Sequence, residues 1–223
     1  MATELIDVLS DERYPQADLE LRQGRHIGTD ADALLYDFIK VNQEPLNAYY
    51  KRYGATLQCG AEGYYYLLPQ LGADKAPLGR RHLSMLEMLV GQTLALMMLD
   101  PEWLETNRRI PDERVRQMLE QLLGKEKLLQ FARRRRGKDD ERDAQKLRAS
   151  ISASLETLER LGFVKRAGRG DHAVVIPLTP ITRFADPVRS TGVTADTLRR
   201  LIQEGEIADL ADEDKADDDA SNA

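Results

Sequence analysis

Apolar residues recur at the period of an α-helix between residues 143 and 162, and this is the clearest pattern in the chain. The inward positions are Leu147, Ile151, Leu155, Leu158 and Leu161, a spacing that lines one face of a helix. Gly162 is expected to end the helix, and residues 163–164 and 173–176 predict two strands that turn at 168–171. A helix followed by a ribbon with a basic, glycine-rich tip is typical of the second half of a winged helix.

The first 70 residues show the same order of elements without repeating the residues themselves. The predicted elements are helices at 3–9, 15–21 and 29–53, a short extended piece at Ile27, and strands at 55–59 and 64–68. In the first helix, the residues expected to face inward are Leu5, Ile6 and Leu9. Thr29 or Asp30 can cap the long helix, and Pro45 should break it near Gln43.

The second half begins after a stretch rich in Gly, Ala and Pro at 71–79. Residues 82–99 predict a helix that is apolar nearly all round and therefore buried on several sides. Residues 111–123 predict an amphipathic helix, and together with the helix and ribbon described first they indicate a helix-turn-helix with a wing. A last amphipathic helix is predicted at 194–205.

These patterns predict an α+β fold, mainly helical, with two winged-helix domains in tandem. The expected divisions are a first winged-helix domain at 1–70, a linker at 71–81, a second winged-helix domain at 82–185 with a basic insertion at 132–142, a C-terminal helical segment at 186–206, and a disordered acidic tail at 207–223.

Charge is distributed unevenly along the chain: the net charge of −6 combines an acidic C-terminal region with a basic region before it. From Glu206 onward there are eight Asp and Glu against Lys215, whereas residues 124–170 carry 14 Lys and Arg against 7 Asp and Glu. A local basic patch on a nearly neutral body suits contact with polyanions. No apolar run approaches a membrane span, no N-terminal stretch resembles a signal peptide, and the single cysteine excludes an internal disulfide, so a reduced cytoplasmic setting is expected.

Candidate catalytic chemistry is sparse. The chain lacks a phosphate-binding GxxxxGK[ST] loop, a GxGxxG turn after a strand and a GxSxG elbow. Its histidines, His26, His82 and His172, are far apart and out of metal-ligand spacing. Asp171 with His172 is interpreted as a hairpin tip rather than an acid–base pair, His26 as a packed histidine, and Cys59 as a small core residue rather than a nucleophile. We therefore expect no enzyme activity, no metal and no cofactor.

The basic patch is the stronger functional signal. On the helix at 143–162, the side chains of Lys146, Ala149, Ala153 and Arg160 fall within about sixty degrees of one another, away from the apolar face. The predicted DNA-binding residues are Arg133, Arg134, Arg135, Arg136, Lys146, Arg160, Lys165, Arg166 and Arg169. Interleaved acids such as Glu156 and Glu159 keep open the alternative of an ordinary solvated face. Gln145 is the only outward amide, so base-specific recognition is weakly supported.

Tyrosines form a second concentration. Three consecutive tyrosines in a strand cannot share a face, because neighbouring side chains point to opposite sides. The residues predicted to form a partner or dimer interface are Tyr64, Tyr65, Tyr66, Tyr49 and Tyr53, since outward tyrosines are typical of interfaces. The alternative is a ribbon packed against the neighbouring domain.

Six blocks of sequence resemble the MukE family of bacterial condensin subunits. They are LRQGRHIG (21–28), YKRYG and EGYYYLLP (within 50–69), LSMLEMLVGQ (83–92), LERLGFV (158–164), RFADPVR (183–189) and RRLIQEGE (199–206). The resemblance implies a tandem winged-helix protein of the kite class without catalysis of its own. It implies a homodimer formed mainly through the first domain, a MukF-like kleisin as partner, a MukB-like SMC ATPase reached through that kleisin, and sequence-independent contact with DNA in the nucleoid-associated cytoplasm.

Other interpretations stay open at this point. The chain could be an MksE-type relative that serves a similar complex in defence or plasmid maintenance. It could instead be a winged-helix transcription regulator, which predicts a sharp preference for a palindromic operator. An enzyme with an unfamiliar site is supported only by the three histidines.

Overall fold

The computed structural model describes residues 5–70, 78, 82–99, 103, 107–124, 128, 140–168 and 170–185, with the backbone alone at 140–143 and 171. Several predictions lie outside these residues. They concern the linker apart from residue 78, the basic insertion at 132–142 apart from the helical backbone at 140–142, Arg169, the C-terminal segment at 186–206 and the acidic tail.

The first half consists of short helices and one three-stranded antiparallel sheet. Its elements are α1 (Leu5–Ser10), α2 (Tyr14–Arg22), β1 (Ile27–Gly28), α3 (Ala33–Val41), α4 (Gln43–Lys51), β2 (Ala55–Cys59) and β3 (Tyr64–Pro69). The strands lie in the order β1-β3-β2, with Ile27 opposite Tyr65 and Cys59 opposite Tyr65 from the other side. The sheet therefore has β3 at its centre.

The predicted break in the long helix is confirmed at Asn42, between α3 and α4. Pro45 is the third residue of α4, where its missing N–H would have no helical partner in any case. The predicted cap was wrong: Asp32, not Thr29 or Asp30, caps α3, and its carboxylate accepts a hydrogen bond from Leu35 N at 3.0 Å.

The second half repeats this plan with longer helices. Its elements are α5 (Met85–Met98), β4 (Ile110–Pro111), α6 (Asp112–Leu123), α7 (Asp140–Arg160), β5 (Val164–Ala167) and β6 (Val174–Pro177), with 3₁₀ segments at Gly170–His172 and Thr179–Ala185. The strand order β4-β6-β5 mirrors that of the first sheet. Ser84 and Glu87 form a capping box that begins α5. The prediction of a mainly helical α+β chain is confirmed.

Each half has its own apolar core. The first centres on Phe38, Ile39, Leu46 and Tyr50, and the second on side chains of α5, α6 and α7. The prediction for α1 was wrong for Ile6 and Leu9, which are exposed, whereas Leu5 is partly buried and Val8 is buried. Val8 is the one fully buried side chain of this six-residue helix.

A buried histidine joins the two halves. Because an arginine can only donate, His26 Nε2 accepts from Arg183 Nη1 at 2.7 Å, and Nδ1–H donates to the Leu161 carbonyl at 3.2 Å. The imidazole stacks on Tyr66 with ring centroids 4.9 Å apart and touches Phe163 at 4.2 Å. Burial, and then the charge of Arg183, holds the pKa of His26 well below its usual value. His26 is thus the packed, hydrogen-bonded residue that its sequence context predicted.

Further polar contacts flank this histidine. Asp30 Oδ2 accepts from the backbone N–H and the hydroxyl of Thr179, at 2.5 and 2.8 Å. Glu62 Oε2 accepts from the Thr182 hydroxyl at 3.1 Å. Because residues on either side of β1, in the turn between β2 and β3, and in the last 3₁₀ segment all take part, the two halves are fixed together at several points.

Candidate nucleic-acid and partner surfaces

The outward face of α7 carries the cations that the helical period placed there. Lys146 and Arg160 are exposed, and so are Ala149 and Ala153 between them. Lys165 on β5 is exposed just beyond the end of the helix. Small side chains between cations let a nucleic-acid backbone approach the helix surface closely. We call Lys146, Arg160 and Lys165 the cationic face.

Arg166 has a different environment from the other predicted DNA-binding residues. Its guanidinium donates to Asp112 at 3.1 Å, to Glu156 at 3.3 Å and to the Ser152 hydroxyl at 3.2 Å, and its backbone N–H donates to Glu159 at 2.8 Å. The positive charge of Arg166 is therefore paired with acidic side chains of the protein itself. The same contacts engage Glu156 and Glu159, the two acids that the sequence suggested would weaken the basic field.

The remaining predicted DNA-binding residues cannot be placed on a surface. The run Arg133, Arg134, Arg135 and Arg136, and also Arg169, lie outside the described residues. Their contribution stays a prediction.

A groove of about 400 Å³ lies between the start of α6, the middle of α7 and the tip of the ribbon, and none of the three residues of the cationic face lines it. Its floor includes Ile151 and Leu155, and its rim includes Arg148, which is exposed. Arg116 on the same rim is paired with Glu113 and Glu120. Arg148 was missed by sequence reasoning, because its position on the helix is far from Lys146 and only the packing of α6 shows where it points.

The tyrosine strand β3 is mostly internal. Tyr65 faces the first core, while Tyr64 and Tyr66 face the second half beside His26. Tyr64 and Tyr65 are only 1% and 3% exposed, so neither offers a surface to another chain, and the interface prediction was wrong for both. The alternative interpretation, a ribbon packed against the neighbouring half, is the correct one. Arg183 lies 4.2 Å from the ring of Tyr66, which is partly covered.

Tyr49 and Tyr53 form a half-exposed aromatic cluster on the first half. Their hydroxyls are 3.2 Å apart, and Arg22 donates to Tyr49 at 3.0 Å while its guanidinium lies 4.6 Å from the ring of Tyr53. Hydrogen bonds from Tyr49 and then Arg22 lower the pKa of Tyr53. Tyrosine and arginine are the residues that most often dominate binding energy at interfaces. These two tyrosines therefore remain candidates for partner contact.

Two apolar side chains of α3 were not predicted to be exposed. Leu34 and Val41 are 73% and 75% exposed. They are seven residues apart, so both point to the same side of the helix. The apolar positions of α3 cover more than one face, so the helical period alone does not distinguish its buried side.

The described residues contain little that could do covalent chemistry. Across those residues, no group of three His, Cys, Asp or Glu side chains comes together as metal ligands would. Cys59 is exposed, so its interpretation as a core residue was wrong: it is the last residue of β2, beyond the part of the strand that the helices cover. Of the helices described, none is long and apolar enough to cross a bilayer.

Comparison with known proteins gives a match over the whole length. A sequence model of the MukE-like family matches residues 1–223. The chain is 34% identical over 209 residues to chromosome partition protein MukE of Mannheimia succiniciproducens, covering 92% of this chain and 83% of that protein. It is 33% identical over 223 residues to the protein of that name from Pasteurella multocida, covering 97% and 88%. For the protein of that name from Yersinia pseudotuberculosis, identity is 34% over 209 residues, covering 92% and 86%.

Proposed function

This chain belongs to the MukE-like family, and on that premise we propose that it is a non-catalytic subunit of a condensin-type SMC complex that acts in chromosome partitioning. The match over residues 1–223 is the observation that carries the proposal. In this role the subunit binds a MukF-like kleisin, reaches a MukB-like SMC ATPase through it, and works by assembly on nucleoid DNA in the cytoplasm.

The strand order supports two winged-helix units in tandem. In each half, a two-residue strand pairs with the second strand of a ribbon, and helices precede that ribbon. This is the order of elements in a winged helix, with the short strand between helices and the ribbon as the wing. The two separate cores, built from residues between 8 and 65 and between 86 and 184, support the proposed domains at 1–70 and 82–185.

We assign the DNA contact to the cationic face. Among the described residues, none forms an ion pair with these three cations, and the neighbouring Glu156 is paired with Arg166. Positive charges on a face with small side chains can contact DNA phosphates, and they do not distinguish one base from another. Each neutralised phosphate adds about −0.9 to the slope of log affinity against log salt, so these three cations should account for a slope of about −3.

Charge reversal tests this assignment. The variant changes Lys146, Arg160 and Lys165 to Glu, and binding to short fluorescent duplexes is followed by anisotropy at several salt concentrations. A matched control reverses Lys40, Lys51 and Arg52, which are exposed on the first half and change the net charge equally. The cationic-face variant should bind at least about tenfold more weakly with a shallower salt slope, and the control should lose much less.

Two outcomes would count against the proposal. Equal losses in both variants would show that only the overall charge matters. A preference of several kcal/mol for one palindromic duplex would favour a winged-helix transcription regulator instead.

We propose that dimerisation and kleisin contact use the first half. Leu34 and Val41 present an apolar face on α3, and Tyr49 and Tyr53 present an aromatic one. Co-purification of the tagged chain with a co-expressed MukF-like kleisin tests the assembly. Changing Leu34 and Val41 to Asp should dissociate the dimer in sedimentation, while the same change at Leu96 and Leu122, exposed on the second half, should not.

A further inference from the structure

The described chain ends near the C-terminal end of α7. The last 3₁₀ segment places the ring of Phe184 against that of Phe163, with centroids 4.8 Å apart, and Leu178 N donates to the Phe163 carbonyl at 2.9 Å. Phe163 lies between Arg160 and Lys165 in the sequence. The polypeptide that follows residue 185 therefore starts close to the C-terminal end of α7.

The intervening chain is long enough to bring the acidic tail anywhere along that helix. α7 has 21 residues and is about 31 Å long. Residues 186–205 separate Ala185 from Glu206. If 194–205 form the helix that the sequence predicts, that helix spans about 18 Å and the eight residues before it span up to about 26 Å.

The tail and the helix face have opposite charges. The acidic tail contains seven Asp and Glu against Lys215, and Glu206 adjoins it. On the helix side, Lys146, Arg160 and Lys165 are exposed and form no ion pair with any described residue. Glu156 lies on the same side of α7 but is paired with Arg166 at 3.3 Å.

We propose that the acidic tail docks on the cationic face and competes with DNA for it. This inference rests on the DNA contact proposed above and adds its regulation. Closely spaced carboxylates offer the face the same chemistry as phosphates, and the tether makes their effective concentration on the order of millimolar. DNA then binds only after it displaces the tail, so a partner that removes the tail would strengthen the DNA contact.

Neutralising the tail tests the proposal in the full chain. One variant changes all seven acids to the corresponding amides: Asp209, Asp212, Glu213, Asp214, Asp217, Asp218 and Asp219. A control variant permutes the residues of 207–223 and keeps their charge. If the tail–face contact has a dissociation constant of about 0.1 mM, the neutral tail should tighten binding to a random duplex about tenfold at low salt. The permuted tail should bind like the parent chain, and the gap should narrow as salt rises.

A second measurement separates docking from general repulsion of DNA by a negative chain. Without DNA, the amide NMR signals around Lys146, Arg160 and Lys165 should shift when the tail is neutralised, and those of α3 should not.

The outcomes are distinct. If parent and neutral-tail chains bind DNA equally, the tail inference is wrong while the DNA contact stands. Tighter binding without NMR shifts at the face would also overturn docking. If neither chain binds DNA, the DNA contact itself fails.

Discussion

A methyl group added at Gly162 should clash with the first half of the protein and so destabilise the fold. It follows α7 in a Schellman motif, in which Phe163 N donates to Leu158 O at 2.9 Å. Its φ is +78°, a conformation that favours glycine. A Cβ at this position would overlap the carbonyl oxygen of His26 and meet Arg25 Cγ at 3.0 Å.

Gly24 provides a matched control. It ends α2 in the same motif, with φ of +81° and Arg25 N donating to Glu20 O at 3.1 Å. There a Cβ would meet only Leu161 Cδ2, at an ordinary 3.7 Å. The two substitutions to alanine therefore share their backbone cost and differ only in the clash across the junction.

The expected magnitudes follow from these differences. A left-handed alanine costs about 1–2 kcal/mol, and the stiffer unfolded chain recovers about 0.4–1 kcal/mol, so Gly24→Ala should destabilise the fold by about 1 kcal/mol. Gly162→Ala adds overpacking of about 1–3 kcal/mol. It also strains the 2.8 Å bond from His26 N to Leu161 O, which contributes about 1 kcal/mol. Its total should reach about 3–5 kcal/mol.

Urea unfolding measures both variants. The only tryptophan, Trp103, is buried in the second core and reports that half by fluorescence, while far-UV circular dichroism reports both halves. Gly162→Ala should lower the free energy of unfolding at least about 2 kcal/mol more than Gly24→Ala. Equal losses in the two variants would refute the packing of the junction described above.

Three further predictions concern other contacts. The folded chain disfavours protonated His26, so the free energy of unfolding should fall as the pH drops from 6.5 to about 5. The fall should be up to about 1.4 kcal/mol per pH unit. Urea titrations at each pH measure this slope, which a His26→Gln variant should lack. Arg166→Met should cost about 1–2 kcal/mol in thermal unfolding since it breaks three side-chain contacts. Arg13→Ala, which removes an exposed ion pair with Asp11 and a contact over the Phe38 ring, should cost less, and similar losses would contradict the ranking. Ser84→Ala removes one half of the α5 capping box and should cost about 1 kcal/mol by the same assay; no loss would show that the cap is dispensable.

Sequence patterns predicted the helices and helix ends whose structure depends on residues close together in the chain. The period of α7 gave its buried stripe and the exposure of Lys146 and Arg160, and Gly162 marked its end, because these depend on residues within a turn or two. The break between α3 and α4 was predictable for the same reason. The exposed cations of the candidate site were thus available from the sequence.

Contacts between distant parts of the chain were not predictable. Arg166 is hydrogen-bonded to Asp112, 54 residues away in the sequence, and His26 to Arg183, 157 residues away. Alternation along β3 required that the tyrosines divide between two faces, but only the packing of the second half shows that both faces are covered. For the same reason the sequence could not show that Arg166 is used internally.

The central claim is that this chain works as an assembly subunit, and the mass of its complex tests that most directly. The chain is co-expressed with a MukF-like kleisin and analysed by native mass spectrometry. The account predicts a complex that contains the kleisin and at least two copies of the 25.2 kDa chain. A 25.2 kDa monomer that leaves the kleisin unbound would contradict it.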